Sequence, residues 1–537
     1  MIRSFFRPPE IPAPVERTPV VLLGGHPGSH DARALAAGLP PWREVMGALA
    51  SGADGVRLPV TRDTFWDLHR IAATAAYLVG AGRKAPALPP FVPNPLPDAP
   101  AALEGWLGEL RGALEGFAVQ IDAPSDELMA LLATVAGAAD PLNRGILLRL
   151  LGALTGGVFR GPATVHVDVA NACNVNCIYC WFHSPLSADR EDAAEFDTAW
   201  RSEMLDWATF EKLIDDLDGL DAREDVLLSG KGEPLLHPQC LDMVRAVKAR
   251  DLGCTLFSNG VLVREEARRA VVEAGLDLLY VSLSSASPEV YEAIHPDHDG
   301  VAELEEVRAN VRALTQLKAN RGTPTPRVMM VDVVNSLNAH EVLDFYEQAR
   351  DLGAEHVRYQ LQHVQPYNAQ LRIRPDQVEQ LRLDIAEAHR REAEGGPSIV
   401  PNIDWQLATL EVSSGVWGHG RTPDEGCYVG WTFSRTWTNG DVSFCCSPKV
   451  VDSLHERSFS EIWQGERYAK FRNAARDLAT HGDMTFSNGA KLLGDHCVGC
   501  PNYEGIGKLA EDLRRYGLEQ FVRGRDRQRL RDASPDS

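Results

Sequence analysis

Six times between residues 163 and 362 a short apolar run alternates with an amphipathic helical stretch, and this repetition constrains the fold more than any other feature. The runs are ATVHVDVA, DVLLSG, CTLFSNG, DLLYVSLSS, RVMMVDVVN and HVRYQLQ. Between them lie helical segments such as WATFEKLIDDLDGL, CLDMVRAVKAR, REEARRAVVEAG and HEVLDFYEQARDLG, with apolar residues three and four apart. Strand, helix and strand joined by short connections imply a parallel sheet with right-handed crossovers. The predicted fold class is therefore α/β, a partial (β/α)6 TIM-like barrel over residues 161–365. In such a barrel the chemistry sits at the C-terminal ends of the strands.

The flanks have a different texture. Residues 1–160 are rich in Ala, Leu and Pro and read as a mostly helical N-terminal region, with a Pro-rich linker at 85–100 (APALPPFVPNPLPDAP). An early VVLLGGHPGSHDARAL reads as a strand, a glycine turn and a helix, and matches neither a dinucleotide nor a P-loop fingerprint. Residues 366–537 are less periodic. They contain a hairpin, WTFSRTWTNGDVSFCC, whose Asn439-Gly440 signals a type I′ turn, and a basic run at 523–532 that reads as a solvated tail.

A net charge of −21 over 537 residues argues against broad contact with a phosphate backbone, so nucleic acid is not an expected partner. No uninterrupted apolar stretch is long enough to span a membrane, and the N-terminus lacks the apolar core of a secretory signal. Ten cysteines are too few for a disulfide scaffold of this length. Their clustering points to metal binding in a reducing, cytoplasmic setting.

Three of them, Cys173, Cys177 and Cys180, stand at C-x3-C-x2-C spacing immediately after the first strand. Three thiolates hold three irons of a [4Fe–4S] cluster and leave the fourth open to a small molecule. A zinc site completed by His183 and a purely structural set are the alternatives. Cys240 and Cys254 fit no ligand spacing and read as a helix cysteine and a buried strand-edge cysteine.

With those residues in place the chain resembles the radical S-adenosylmethionine (radical SAM) superfamily over residues 163–365. CNVNCIYC fits the family's cluster motif, with Tyr179 just before the last cysteine, where the family lays an aromatic against the adenine. SGKGEPLLHP resembles the Gly-Gly-Glu-Pro motif; Gly230, Gly232 and Glu233 would engage the methionine amino group. FSNG resembles the Thr-Asn-Gly motif and gives Asn259, while VSLSSASPEVYEAIHP supplies Ser282 as a cofactor contact. Two departures stand out: Ser284 occupies a position where Asp is common, and Lys231 interrupts the glycine motif. The resemblance implies one-electron reduction of S-adenosylmethionine at the cluster, release of methionine, and a 5′-deoxyadenosyl radical that abstracts hydrogen from a substrate carbon.

The third region holds Cys427, Cys445, Cys446, Cys497 and Cys500. Their arrangement resembles a shortened SPASM or twitch extension of such enzymes, which implies a second [4Fe–4S] cluster. Cys427, Cys445, Cys497 and Cys500 are the expected ligands, with Cys445 chosen over Cys446 because neighbours on a strand face opposite ways. A zinc ribbon is the alternative. The implied function is a radical SAM oxidoreductase or modifying enzyme acting on a ribosomal peptide or a small metabolite such as an amino sugar, with an electron donor such as flavodoxin or ferredoxin. A non-catalytic iron–sulfur or zinc scaffold is the competing reading. No general base is assigned; His237, His295, Asp297 and His363 lie near strand ends, and Trp181 and Phe182 adjoin the cluster motif as wall residues. The acidic stretch 187–203 reads as a lid or a solvated loop.

Overall fold

The structure is a computed structural model. It describes residues 158–494 apart from 191, 419–425 and 477, together with Cys497, Cys500 and parts of 20–153. The chain forms two compact units, one of Gly161–Leu509 and one of Met1–Arg160 with Ala510–Ser537. The glycine turn and helix expected after Val21, the Pro-rich run over 85–98 and the basic run at 523–532 lie outside the described residues.

The larger unit is built on a ten-stranded sheet. Six strands, β4 (Thr164–Asp168), β5 (Asp225–Ser229), β6 (Cys254–Ser258), β7 (Leu278–Ser282), β8 (Arg327–Val334) and β9 (His356–Leu361), lie side by side in chain order, every neighbouring pair parallel. This is the predicted β/α array. The strands are near-continuous apolar runs because both faces are covered, as parallel sheets require. Val165, Val226, Leu228, Leu256, Leu279, Val328 and Val357 are all buried. The helix Trp207–Gly219 buries Phe210, Leu213, Ile214 and Leu217 on one stripe and starts at Asp206, whose side chain accepts from the Thr209 amide. Beyond β9 comes β10 (Ser398–Ile399), again parallel. On the other edge β11 (Phe433–Thr436) pairs parallel to β4 and carries on into β12 (Asp441–Ser443) and β13 (Val450–Ser453), both antiparallel. The barrel sheet and the C-terminal hairpin are thus one surface, open at β10 and β13.

The hairpin between β11 and β12 forms as expected, but its turn is different. Gly440 takes φ +79° while Asn439 stays out of the left-handed region. The Gly440 amide donates to the Trp437 carbonyl (2.9 Å) and the Trp437 amide to Asp441 (2.9 Å). That is a type I turn closed by a left-handed glycine bulge rather than a type I′ turn.

In the smaller unit the described residues hold the helix Ala99–Ala113, as expected of a helical region, and also a parallel sheet in the order β1 (Val20–Val21), β2 (Val56–Val60), β3 (Val119–Pro124). Pro59 hides the central strand from a sequence reading, since proline removes a ladder donor. The register between β2 and β3 shifts between Leu58 and Val60, so Pro59 sits at the irregularity. No helix among the described residues is long and apolar enough to cross a membrane.

One carboxylate makes the fold sensitive to pH. Burial at the start of β5 pushes Asp225 up to about 6, against a hydrogen bond from Thr255 that pulls it down. A carboxyl with a raised value holds its proton more tightly folded than unfolded, so stability falls as pH rises from the ordinary carboxylate value through about 6. Asp225→Asn keeps the Thr255 contact and should be more stable than wild type at pH 7.5, by up to about 3 kcal/mol. The advantage should vanish near pH 4, and thermal midpoints across that range measure it.

Candidate functional site

The C-terminal ends of β4, β5, β6 and β7 carry the predicted motifs, and side chains tie them together. The loop after β4 bears Cys173, Cys177 and Cys180. Its first turn is pressed against the loop after β5. The Gly232 amide donates to the Ala170 carbonyl (3.1 Å) and the Glu233 amide to the Ala172 carbonyl (2.7 Å). A Cβ on Gly230 would lie 2.4 Å from Ala170 O, and one on Gly232 would lie 1.9 Å from Ala172 O. These glycines are required by that backbone approach. Gly232→Ala should therefore displace the cysteine loop, and the variant should retain about half the iron of wild type after anaerobic reconstitution, one four-iron cluster instead of two.

Glu233 is buried and joins β5 to β6. Its carboxylate accepts from Ser258 Oγ (2.9 Å), the Leu235 amide (3.1 Å) and the Asn259 amide (2.8 Å), while burial pushes it up to about 7. Asn259 in turn donates Nδ2–H to Asn174 Oδ1 (2.8 Å), inside the cysteine motif. Tyr179 reaches the other way. Its ring packs with Val290, Ile294 and Leu371, and its hydroxyl meets Ser284 Oγ at 2.9 Å. Ser282 bonds the same hydroxyl. Ser284 accepts the Val333 amide (2.9 Å) and has φ +56°, a strained left-handed backbone for a non-glycine residue. At the position where an aspartate would be usual, this serine fastens the cysteine loop to β7 and β8.

The donor set suits an iron–sulfur cluster. None of the ten cysteines forms a disulfide. Cys180 Sγ accepts the amides of Phe182 and His183, both at 3.4 Å. Burial, aided by neighbouring negative charge, pushes Cys173 up to about 12 and Cys177 well above its ordinary value. A bound cationic centre would offset that penalty. Among the described residues no three Cys, His, Asp or Glu side chains converge on one point to hold a single metal ion. Sulfurs that each take a different iron have no need to.

His183 does not complete the set: its Nε2 pairs with the Asn171 carbonyl (2.9 Å). His237 has one ring nitrogen on the Leu205 carbonyl (2.9 Å) and accepts the Gln239 amide (3.0 Å) on the other. His295 is buried against Tyr291 and held down to about 4 by that burial. Asp297 is exposed, and His363 stacks on Trp417 with Trp181 alongside. Cys240 and Cys254 are buried away from both sets, as expected of structural cysteines.

A second group of sulfurs gathers in the C-terminal part. The Cys427 thiol is raised first by burial and then by charge on Cys500, Cys445 and Cys497. Lys449 adjoins the group, with Nζ donating to the Leu492 carbonyl (2.6 Å) and to Cys497 Sγ (3.5 Å). Cys446 meets Cys445 side chain to side chain. The expectation that the pair faces opposite ways does not apply: both lie past the end of β12, in a bend, where strand alternation no longer operates.

Sequence reasoning missed what connects the two groups. Asp168, the buried last residue of β4, holds Arg435 of β11 through Nη2 (2.9 Å) and Nε (3.2 Å). Arg435 also donates to the Cys446 carbonyl (3.1 Å) and stacks on Trp437 at 4.1 Å. A lone aspartate in an apolar strand was the available signal; its partner 267 residues away was not.

A model of the radical SAM superfamily matches residues 167–349, and a model of the SPASM iron–sulfur cluster-binding domain matches 427–485. The tungsten-containing aldehyde ferredoxin oxidoreductase cofactor-modifying protein of Pyrococcus furiosus is 23% identical over 333 residues, 57% of this chain and 82% of that protein. The PqqA peptide cyclase of Xanthomonas campestris pv. campestris (strain 8004) is 28% identical over 357 residues, 64% of this chain and 80% of the cyclase. A crystal structure of SuiB from Streptococcus suis bound to S-adenosylmethionine aligns at TM-score 0.45 and 13% identity, covering 69% of this chain and 78% of SuiB. The motifs at the ends of β4 to β7 and the cysteines beside β12 fall inside the two matched segments, so the chain carries a radical SAM domain and a SPASM iron–sulfur cluster-binding domain and is an enzyme that uses a [4Fe–4S] cluster and S-adenosylmethionine.

Proposed function

We propose that the enzyme modifies a ribosomally made peptide by abstracting hydrogen from one of its carbons, and that the C-terminal cluster takes up the electron the substrate gives back. The observation that carries this reading is the adjacency of β4 and β11. The strand leading into Cys173, Cys177 and Cys180 is hydrogen-bonded directly to the strand leading towards Cys445, and Asp168 and Arg435 clamp the two. An oxidised product follows when a one-electron acceptor is connected to the site of hydrogen loss, and the paired strands with the Asp168–Arg435 bridge form a continuous protein path between the two cysteine groups. The peptide is suggested by relatives that are PqqA peptide cyclases. Exposed Trp181, directly after Cys180, offers an aromatic wall for it.

When bound, the cluster and S-adenosylmethionine supply a 5′-deoxyadenosyl radical. In this reading Cys173, Cys177 and Cys180 hold the first cluster. Cys427, Cys445, Cys497 and Cys500 hold the second; the Cys427 thiol feels the charge on the other three. Glu233, Asn259 and Ser282 orient the cofactor from the ends of β5, β6 and β7. Tyr179 closes the barrel floor beneath it and keeps water out. Flavodoxin or ferredoxin supplies the electron.

The test is anaerobic. Loaded enzyme, S-adenosylmethionine and reductant are given synthetic peptides from short reading frames beside the gene, or amino sugars. The expected result is peptide-dependent 5′-deoxyadenosine and a peptide lighter by one H2. Stimulation by an amino sugar and by none of the peptides would overturn the peptide assignment.

A further inference from the structure

Lys231 stands between the two glycines pressed onto the cysteine loop, and its side chain runs toward β11. Its ammonium lies 4.0 Å from the centre of the Trp437 ring, 5.4 Å from Phe182 and 5.6 Å from Trp200. Trp437 is fixed there, its indole N–H donating to Ser443 Oγ (2.6 Å). Phe182 and Trp200 pack on each other at 5.7 Å. The floor beneath the ammonium is therefore aromatic and rigid.

Arg435 shares the Trp437 ring, but its charge is already matched by Asp168. Lys231 has no such match. Among the described residues no carboxylate comes within ion-pair distance of Nζ and no acceptor takes its N–H groups. Asp168, Glu203 and Asp441 act on it only through their charge. Lys231 is half-buried, and the aromatic faces around it offer its N–H donors no hydrogen-bond acceptor. An anion from outside the chain can take the place of water there. It should be a monoanion, because the nearby Asp168, Glu203 and Asp441 would repel a dianion more strongly.

We propose that Lys231 is the receptor for a carboxylate of the substrate, an acidic side chain or the C-terminus of the peptide, held over Trp437, Phe182 and Trp200 beside the cysteine loop. This deepens the peptide-modification reading and rests on it. It also assigns a purpose to the lysine that interrupts the glycine motif.

Lysine acetylation on the full-length, anaerobically reconstituted enzyme tests the assignment. The protein, saturated with S-adenosylmethionine, is treated with a limiting acetyl ester, and acetylation is followed by peptide mass spectrometry. Exposed Lys212 and Lys470 serve as internal references. N-acetyl-L-glutamate is the probe and N-acetyl-L-glutamine the control. At about 20 mM, above the millimolar affinity expected of so small a ligand, the glutamate should slow Lys231 roughly threefold, with no effect on the references and none from the glutamine. Equal rates with and without the glutamate would overturn the proposal. So would protection by S-adenosylmethionine alone with none added by the glutamate, because the carboxylate would then be the cofactor's own. A Lys231 that the ester never reaches is closed to outside ligands, and that too would overturn it. Slow 5′-deoxyadenosine formation by the wild type without substrate tests the enzyme reading separately, and the peptide assay above tests the peptide.

Discussion

Cys177→Ala should abolish 5′-deoxyadenosine formation and lower bound iron from about eight to about four atoms per chain. The residue is the middle ligand of the first set, and its sulfur faces the core cluster built around Tyr179, Val290 and Ile294. Removing it leaves two thiolates, and two are too few to retain a cluster against exchange with water and thiols. The second set, at Cys427, Cys445, Cys497 and Cys500, does not depend on Cys177, so its iron should remain. Cys254→Ala is the control. That residue begins β6, at the end of the strand opposite the motifs, and is fully buried. Its loss creates a small cavity worth about 1 kcal/mol and should leave iron and turnover alone. Iron and sulfide analysis together with timed chromatography of 5′-deoxyadenosine decides the matter. Full turnover by Cys177→Ala would remove the cysteine loop from the chemistry. Loss of all iron would mean that the two sets assemble as one.

Some of this site could be read from the chain because its signals are local. Cys173, Cys177 and Cys180 fall within eight positions, directly after an apolar run, and the six β/α repeats have the period that a parallel sheet imposes. The contacts that make the site rigid were not legible. Glu233 reaches Ser258 and Asn259 twenty-five and twenty-six positions on, and Tyr179 reaches Ser284 at a separation of 105. No sequence periodicity encodes such pairs. Ser284 looked like a departure from a motif; its left-handed backbone and its bonds to Tyr179 and the Val333 amide show it to be a fastening point. The Asn439-Gly440 pair predicted a hairpin correctly and its turn type incorrectly, since a single left-handed residue suffices when a bulge follows. The small N-terminal sheet escaped notice because Pro59 lies in its central strand, a position that proline takes only where the ladder is irregular.

The second large effect is expected where the two cysteine groups are joined. Asp168 is fully buried, Arg435 nearly so, and the pair makes contacts at 2.9 Å and 3.2 Å between β4 and β11. Burial alone would raise Asp168, and the guanidinium opposes that rise. Such a pair adds little net stability over an apolar replacement, yet removing one partner strands the other's charge in the interior. Arg435→Met should therefore destabilise the enzyme by about 3–5 kcal/mol, because only His166 at 3.4 Å and the distant Lys231 remain near the carboxylate. Asp168→Leu should cost a similar amount by leaving the guanidinium unmatched. The double variant should recover most of the loss, since neither charge is then left alone. Thermal midpoints of the four proteins give the coupling directly, and additive single effects would show that the pair is not the clamp described here. The double variant separates a second role from the first. Arg435 also donates to the Cys446 carbonyl and lies on Trp437, beneath Lys231, so a stable protein without it should still hold both clusters. If the clamp sets the path between them, that protein should cleave S-adenosylmethionine at the wild-type rate without substrate and yet form less oxidised product for each cofactor consumed. Coupling unchanged in the double variant would confine Asp168 and Arg435 to holding the sheet together.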